Sequence, residues 1–277
     1  MQAGLKPEQF EFLSDRAEFR APIGRAGVEL YRAHIVHHIF EPHTHDAYGF
    51  GVIEQGVERF RYKGSDHLAP PNSIVLMHPD VLHTGRAETS GGWRYRMIYI
   101  EPAVLADIAG ESGWWFDEAV VERDRPRAQH LVRLLEALWQ ASDPLAFDSL
   151  LAQLVAGVSP LARQQSSARQ RPMRRFAEVL DYMQAHMAQR ILLQDLATVA
   201  GLSPFHFLRQ FKAQYHVTPH QMLMARRLFA AKQWLAQGMA PAQVAAMAGL
   251  TDQAHLTRSF GHRYSVSPAR YQRQVTA

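Results

Sequence analysis

The chain has 277 residues, enough for two domains with cores of their own, and no cysteine, which excludes disulfides, thiolate metal sites and cysteine nucleophiles. Its net charge of +4 hides an asymmetry: residues 161–277 carry 15 Lys+Arg against 4 Asp+Glu, a balance of +11, and residues 1–160 stand at −7. A basic half can neutralise phosphates and release counterions whereas an acidic half cannot, so the two halves are expected to face different partners.

The N-terminal stretch MQAGLKPEQFEF lacks the apolar centre of a signal peptide, and no apolar run approaches ~20 residues. A cytoplasmic protein with no membrane partner is the expectation. Residues 19–100 read as short strands: 28–40, 47–64 with two apolar runs around Gln55-Gly56, 73–79 and 93–102. Gly64-Ser65, Pro70-Pro71-Asn72, Pro79-Asp80 and Gly91-Gly92 punctuate them, which suggests a sandwich or small barrel. Beyond residue 103 the period becomes helical. Residues 128–141 set Leu131, Leu134, Leu135, Leu138 and Trp139 at helical spacing, and 144–158 do the same behind a proline. The pair is expected to form a hairpin, and the stripe of Leu131, Leu135 and Leu138 to bind a second copy of the chain. Residues 161–173, rich in Ser, Gln and Arg, read as a linker.

One unit then occurs twice. Residues 196–219 and 244–268 share Ala197/Ala245, Ala200/Ala248, Gly201/Gly249, Leu202/Leu250, Ser203/Thr251, His206/His255, Arg209/Arg258, Phe211/Phe260, Tyr215/Tyr264, Val217/Val266 and Pro219/Pro268. The offset changes from 48 to 49 at the turn, so the insertion falls where a helix-turn-helix tolerates it. Gly ends the first helix, and Ser203 or Thr251 caps the second. A helix from Pro219 to Gln237 joins the units, with Leu223, Ala230, Ala231, Trp234 and Leu235 as packing residues. Such a second helix fits the major groove of duplex DNA. The first copy would offer Phe205, Leu208, Arg209 and Lys212, the second Gln253, Ala254, Thr257 and Arg258. The two arginines either read guanine or hold phosphates.

These residues, from Leu196-Ala197 through Ser267-Pro268 and Tyr271, resemble the DNA-binding domain of AraC/XylS-type transcriptional regulators. Base contacts at the eight positions just named are what that resemblance implies. The segment from Glu41-Pro-His43-Thr-His45 to His83 resembles the cupin-like sensory domain that precedes such DNA-binding domains. In metal cupins a His-x-His, a Glu and a later His hold one ion. Here His43, His45 and His83 stand in those places, but the Glu position falls on Gly49 or Phe50 and the usual Pro-x-Gly turn reads Pro70-Pro71-Asn72. Three readings stay open for the histidines: contact with a small organic effector, a structural role, or metal ligation. Tyr48, Phe50, Arg94, Arg96 and Tyr99 are candidates to complete an effector pocket.

The expected fold is therefore α+β. A cupin-like barrel spans 1–105, a dimerising helical pair 106–160, a linker 161–173 and an all-α domain with two helix-turn-helix units 174–277. The expected function is sequence-specific, effector-responsive transcriptional regulation. Its partners would be double-stranded DNA, a small-molecule effector, a second copy of the chain and, for an activator, RNA polymerase. No cofactor or catalytic residue is expected. The rival is a metal-binding cupin enzyme or metal sensor fused to DNA-binding helices.

Overall fold

The computed structural model describes residues 14–22, 24–164 and 176–276, so most of the expected linker, 165–173, lies outside the described residues. Among the described residues the N-terminal part opens with nine strands: β1 (Arg16–Arg20), β2 (Val28–Ile35), β3 (Phe40–His43), β4 (Tyr48–Gln55), β5 (Glu58–Tyr62), β6 (Ser65–Ala69), β7 (Ile74–Met77), β8 (His83–Ala87) and β9 (Trp93–Ile100). Helix α1 (Pro102–Ala109) and the short strands β10 (Trp114–Trp115) and β11 (Val120–Val121) follow. Then come α2 (Arg125–Gln140), α3 (Pro144–Val158) and β12 (Arg163–Gln164). One sheet has the order β1-β2-β9-β4-β7-β11 and faces a second of order β3-β8-β5-β6. The strand pairings are antiparallel throughout. Gly56, at φ +68°, supplies the left-handed step between β4 and β5. Asn72 takes φ +64° at the turn where cupins carry glycine, asparagine being among the few other residues that tolerate it.

The six-stranded sheet is buried on both faces. Phe19, Tyr31, Ile53, Trp93, Tyr95 and Met97 point between the sheets and meet Phe40, Phe60 and Tyr62. Leu30, Tyr48, Phe50, Val52, Ile98 and Ile100 point the other way, onto α1, α2 and α3. Two helix starts obey the same rule: Asp124 and Asp143 cap the backbone of Arg127 (3.1 Å) and Ala146 (2.8 Å), each with a proline in the first turn. The leucine stripe corrects the dimer expectation. Leu131, Leu135 and Leu138 are at most 3% exposed, packed within the chain against the outer sheet face and Leu151, Leu154 and Val155. Helix α3 is apolar, but Phe147, Leu151, Leu154, Val155 and Val158 bury in this same layer.

Among the described residues the C-terminal part has seven helices: α4 (Ala177–Ala185), α5 (Leu193–Val199), α6 (Pro204–Tyr215), α7 (Pro219–Ala236), α8 (Pro241–Met247), α9 (Gln253–Tyr264) and α10 (Pro268–Thr276). The repeat is reproduced bond for bond at its turn. Leu202 N donates to Ala197 O and Leu250 N to Ala245 O, both at 2.9 Å. Gly201 and Gly249 sit at φ +63° and +66° between them. One detail differs from the sequence reading: the inserted residue makes Asp252, not Thr251, the cap of α9, its carboxylate accepting from His255 N at 2.6 Å.

The units differ in what lies behind them. Unit one, α5–α6, closes on Phe176, Val179 and Met183 from the α4 region, with Phe207 and Phe211 at its centre. Unit two, α8–α9, shares a continuous core with the barrel: Leu256, Phe260, Tyr264 and Tyr271 merge with Phe19, Tyr31 and Tyr99.

Candidate nucleic-acid interface and barrel cavity

The outward faces of α6 and α9 carry the residues expected to read DNA. Phe205 is 71% exposed, and Leu208, Arg209 and Lys212 are exposed beside it. A phenylalanine that open to solvent on a helix N-terminal turn leaves apolar area uncovered, as a surface that meets a partner does. On α9, Gln253, Ala254 and Arg258 are exposed, while Thr257 is half-buried with its hydroxyl donating to Gln253 O at 2.9 Å. No acidic residue stands in the first turn of either helix. The N-terminal end of α6 therefore presents its positive dipole end without an acidic neighbour, whereas that of α9 is capped by the Asp252 carboxylate.

The histidines converge at one end of the barrel. His43 and His83 are cross-strand partners on β3 and β8. Strand β3 ends at His43, so His45 lies just past it rather than on it, yet all three rings face one cavity. Ring centroids lie 4.2 Å apart for His43–His83 and 5.3 Å for His45 with either. His45 stacks on Tyr99 at 4.1 Å. Burial holds all three below the ordinary imidazole range, with His83 lowered to about 4, so they stand neutral.

The cavity, about 30 Å³, is closed on its far side by the C-terminal part: Arg263 and Tyr264, from the last turn of α9, line it with Tyr31, Glu58 and the histidines. The Arg263 side chain is 4% exposed; Glu41 stands 3.9 Å from its Nε, beyond hydrogen-bond reach. Its Nε and Nη1 are buried with no hydrogen-bond partner among the described residues. Glu58 is fully buried, and desolvation raises its carboxyl to about 8, so it is protonated at neutral pH. Beside the cavity Lys232 of α7 ion-pairs with Glu29 of β2, which also accepts from Tyr271 Oη at 2.8 Å. The Lys232 ammonium lies over the rings of Phe19 (4.8 Å), Tyr264 (5.1 Å) and Tyr271 (5.3 Å).

Four pocket candidates fall elsewhere. Tyr48 and Phe50 are on the opposite face of β4, Tyr48 donating to Trp114 O at 2.9 Å; the inward positions of that strand are Gly49, Gly51 and Ile53. Arg96 leaves the barrel altogether, pairing with Glu54 and Glu136 at 2.5 Å on the outer side of β9, and Arg94 is exposed. The sequence reading missed Glu58, Lys232 and Arg263. Each had a signal: a charge in register with buried neighbours, Glu58 with Phe60 and Tyr62, Lys232 with Leu228 and Leu235, Arg263 with Phe260.

Comparison with known proteins agrees with this division. A family model described as the AraC-like ligand binding domain matches residues 25–155, and one described as a helix-turn-helix domain matches 196–274. The HTH-type transcriptional regulator YbfI of Bacillus subtilis is 28% identical over 83% of this chain and 86% of its own. The HTH-type transcriptional activator RhaS of Klebsiella pneumoniae is 24% identical over 90% and 92%. Among solved structures, ToxT of Vibrio cholerae with an unsaturated fatty acid bound superposes with a TM-score of 0.58 at 11% identity, over 90% of this chain and 95% of that one, which speaks for the shared fold. A barrel with its helical layer, followed by two helix-turn-helix units on one chain, makes this protein a member of the AraC family of DNA-binding transcriptional regulators.

Proposed function

We propose that this regulator reads its operator with Phe205, Leu208, Arg209 and Lys212 of α6 and Gln253, Ala254, Thr257 and Arg258 of α9, and that a small molecule in the barrel cavity sets how it does so. The observation that carries the second half is that α9 has both faces in use. Its outer face offers Gln253, Ala254 and Arg258, and its last turn puts Arg263 and Tyr264 into the cavity wall. A rigid helix of 12 residues transmits any shift at one end to the other. The cavity is small, and Arg263 offers unpartnered donors, so the effector class is a small organic anion, or the acid group of a larger molecule that displaces the wall. The fatty acid bound to ToxT is an acid of that second kind. The residues bind rather than transform their ligand. The match to regulator families and relatives supports binding over turnover.

The same proposal retains a cytoplasmic homodimer and, for an activating role, contact with RNA polymerase. The dimer surface moves off the buried leucine stripe, and sedimentation of the full chain measures it. The test of effector control selects an operator from a random duplex pool with the full-length protein. Operator affinity is then titrated with a panel of small carboxylic acids. At least one acid is expected to change affinity tenfold or more, and Arg263→Gln, which installs the residue unit one carries at Gln214, to abolish that response. A response that survives in Arg263→Gln sinks the role given to the cavity wall.

A further inference from the structure

We infer that His43, His45 and His83 form a binding site for one divalent transition-metal ion of the zinc class, its fourth position opening onto the cavity. This goes beyond the effector reading and does not depend on it. One ligand nitrogen from each histidine lies within 4.8 Å of the other two. The N···N edge of a tetrahedral site with arms of about 2.05 Å is ~3.3 Å, a contraction that ring rotations supply.

The hydrogen bonds select the ligand atoms. His43 Nδ1 donates to Glu41 O at 2.8 Å and His83 Nδ1 to Val81 O at 3.1 Å. Each bond to a backbone carbonyl fixes the tautomer with its proton on Nδ1 and leaves the Nε2 lone pair free. This is the outer-shell arrangement that orients metal-bound imidazoles. His45 Nε2 is buried with no hydrogen-bond partner among the described residues. A buried nitrogen without a partner carries a desolvation cost that a structural histidine avoids by bonding. His78 shows what such a structural histidine looks like, meeting Tyr62 Oη at 2.6 Å and accepting from Phe116 N at 3.0 Å. The cavity histidines are arranged the other way: one ligand nitrogen of each lies within 4.8 Å of the other two, and His45 Nε2 has no hydrogen-bond partner among the described residues.

The rest of the wall fits an ion with one exchangeable position. No carboxylate belongs to the histidine cluster: Gly49 stands where one would be expected, a Cβ there would press on Met97 and Met77, and Glu58, on the same cavity wall, stands outside the cluster. Three neutral imidazoles leave the ion its full double charge. With the open donors of Arg263 on the same cavity, the fourth position suits water, hydroxide or a small anion. A cavity of about 30 Å³ has room for an ion and one such ligand.

The test loads full-length protein, stripped by chelator, with zinc or cobalt(II) alone. We expect one equivalent to remain after gel filtration, the melting temperature to rise by several degrees, and cobalt to show the visible absorption of a tetrahedral nitrogen site. His45→Ala and the more conservative His83→Gln should each lower affinity at least a hundredfold while keeping the far-ultraviolet spectrum of the folded chain. His220→Ala, an exposed histidine on α7, should change nothing. Folded wild-type protein that retains no metal, or metal binding that persists in both cavity variants, overturns the site. Effector control of operator affinity is read in a separate titration, so either result leaves that question to its own experiment.

Discussion

The two helix-turn-helix units share a sequence pattern and a turn, and differ in their support. Unit one rests mainly on α4 and meets the barrel only at its edge, through Leu82 and the approach of His216 to Gly64. Unit two has no core of its own apart from the barrel's: Tyr264 is 2% exposed, whereas its counterpart Tyr215 is only half-buried. Gln214 in unit one becomes Arg263 in unit two, a buried cation facing a cavity. A duplicated unit can thus keep its DNA-facing side while its back is recruited for a second task. The difference says which unit a signal from the barrel reaches first.

The largest break in this comparison is expected from Lys232→Ala. It leaves Glu29 buried without its cation and removes an ammonium from among three aromatic rings. Breaking one side of such a pair costs about 3–5 kcal/mol. The melt should resolve into two steps, with unit two and α10 released first and unit one unchanged in hydrogen exchange. A single cooperative transition at the wild-type temperature would mean that the contact does not hold the parts together.

Glu58→Gln probes the cavity behind unit two. The Glu58 carboxyl stands at about 8 in the folded chain, against about 4.5 when exposed. The folded state therefore holds the extra proton. Its preference for the protonated form is fully present below pH 4.5 and is lost as pH rises through 8. Glutamine mimics that protonated form at every pH. The variant should match wild type near pH 4.5 and exceed it above pH 8 by on the order of 3 kcal/mol. Denaturant titrations of metal-free protein across that range check it, and a gap that narrows with rising pH contradicts the burial.

The turn glycines give a matched pair. Gly201→Ala meets open space and should cost about 1 kcal/mol, the strain of a left-handed alanine. Gly249→Ala has the same strain, but its Cβ would also lie 2.4 Å from Met187 O, so its cost should be larger by about 2 kcal/mol. Equal losses in thermal melts would show that the two turns are equally free.

The smallest expected effect is in recognition. Arg258→Ala should lose about 1–3 kcal/mol on the selected operator and relax preference at one base pair. Arg209→Ala should do the same in the other half of the site. A variant that weakens every duplex alike and lowers the salt slope by about one has lost a phosphate contact instead.

Much of this was legible in the chain. The repeat, its glycine stops, the Ser203 cap and the inward Phe207, Phe211, Leu256 and Phe260 follow from spacing alone, and the convergence of three histidines from the resemblance to cupins. Two misreadings share one cause. In Tyr48-Gly49-Phe50-Gly51 the bulky residues looked like barrel lining, and Leu131, Leu135 and Leu138 looked like a stripe awaiting another chain. Each is the partner of the other: the outer sheet face and the helix stripe bury one another, and periodicity reports that a face is apolar without saying against what. Arg263 and Lys232 were overlooked because charge on a helix usually means solvent.

The ion pair between Glu29 and Lys232 spans 203 positions of the chain. At ~5–20 residues per second of synthesis, the strand that carries the carboxylate is made about 10–40 s before the lysine exists. During that interval the barrel presents an unmatched acid and a ring of aromatic side chains to the ribosome's surroundings. Unit one, made next, finds its partners in the helix just before it. Unit two is made last, onto a surface already waiting. Order of manufacture thus matches order of dependence, and a truncated chain ending before α7 would display the barrel's docking face permanently.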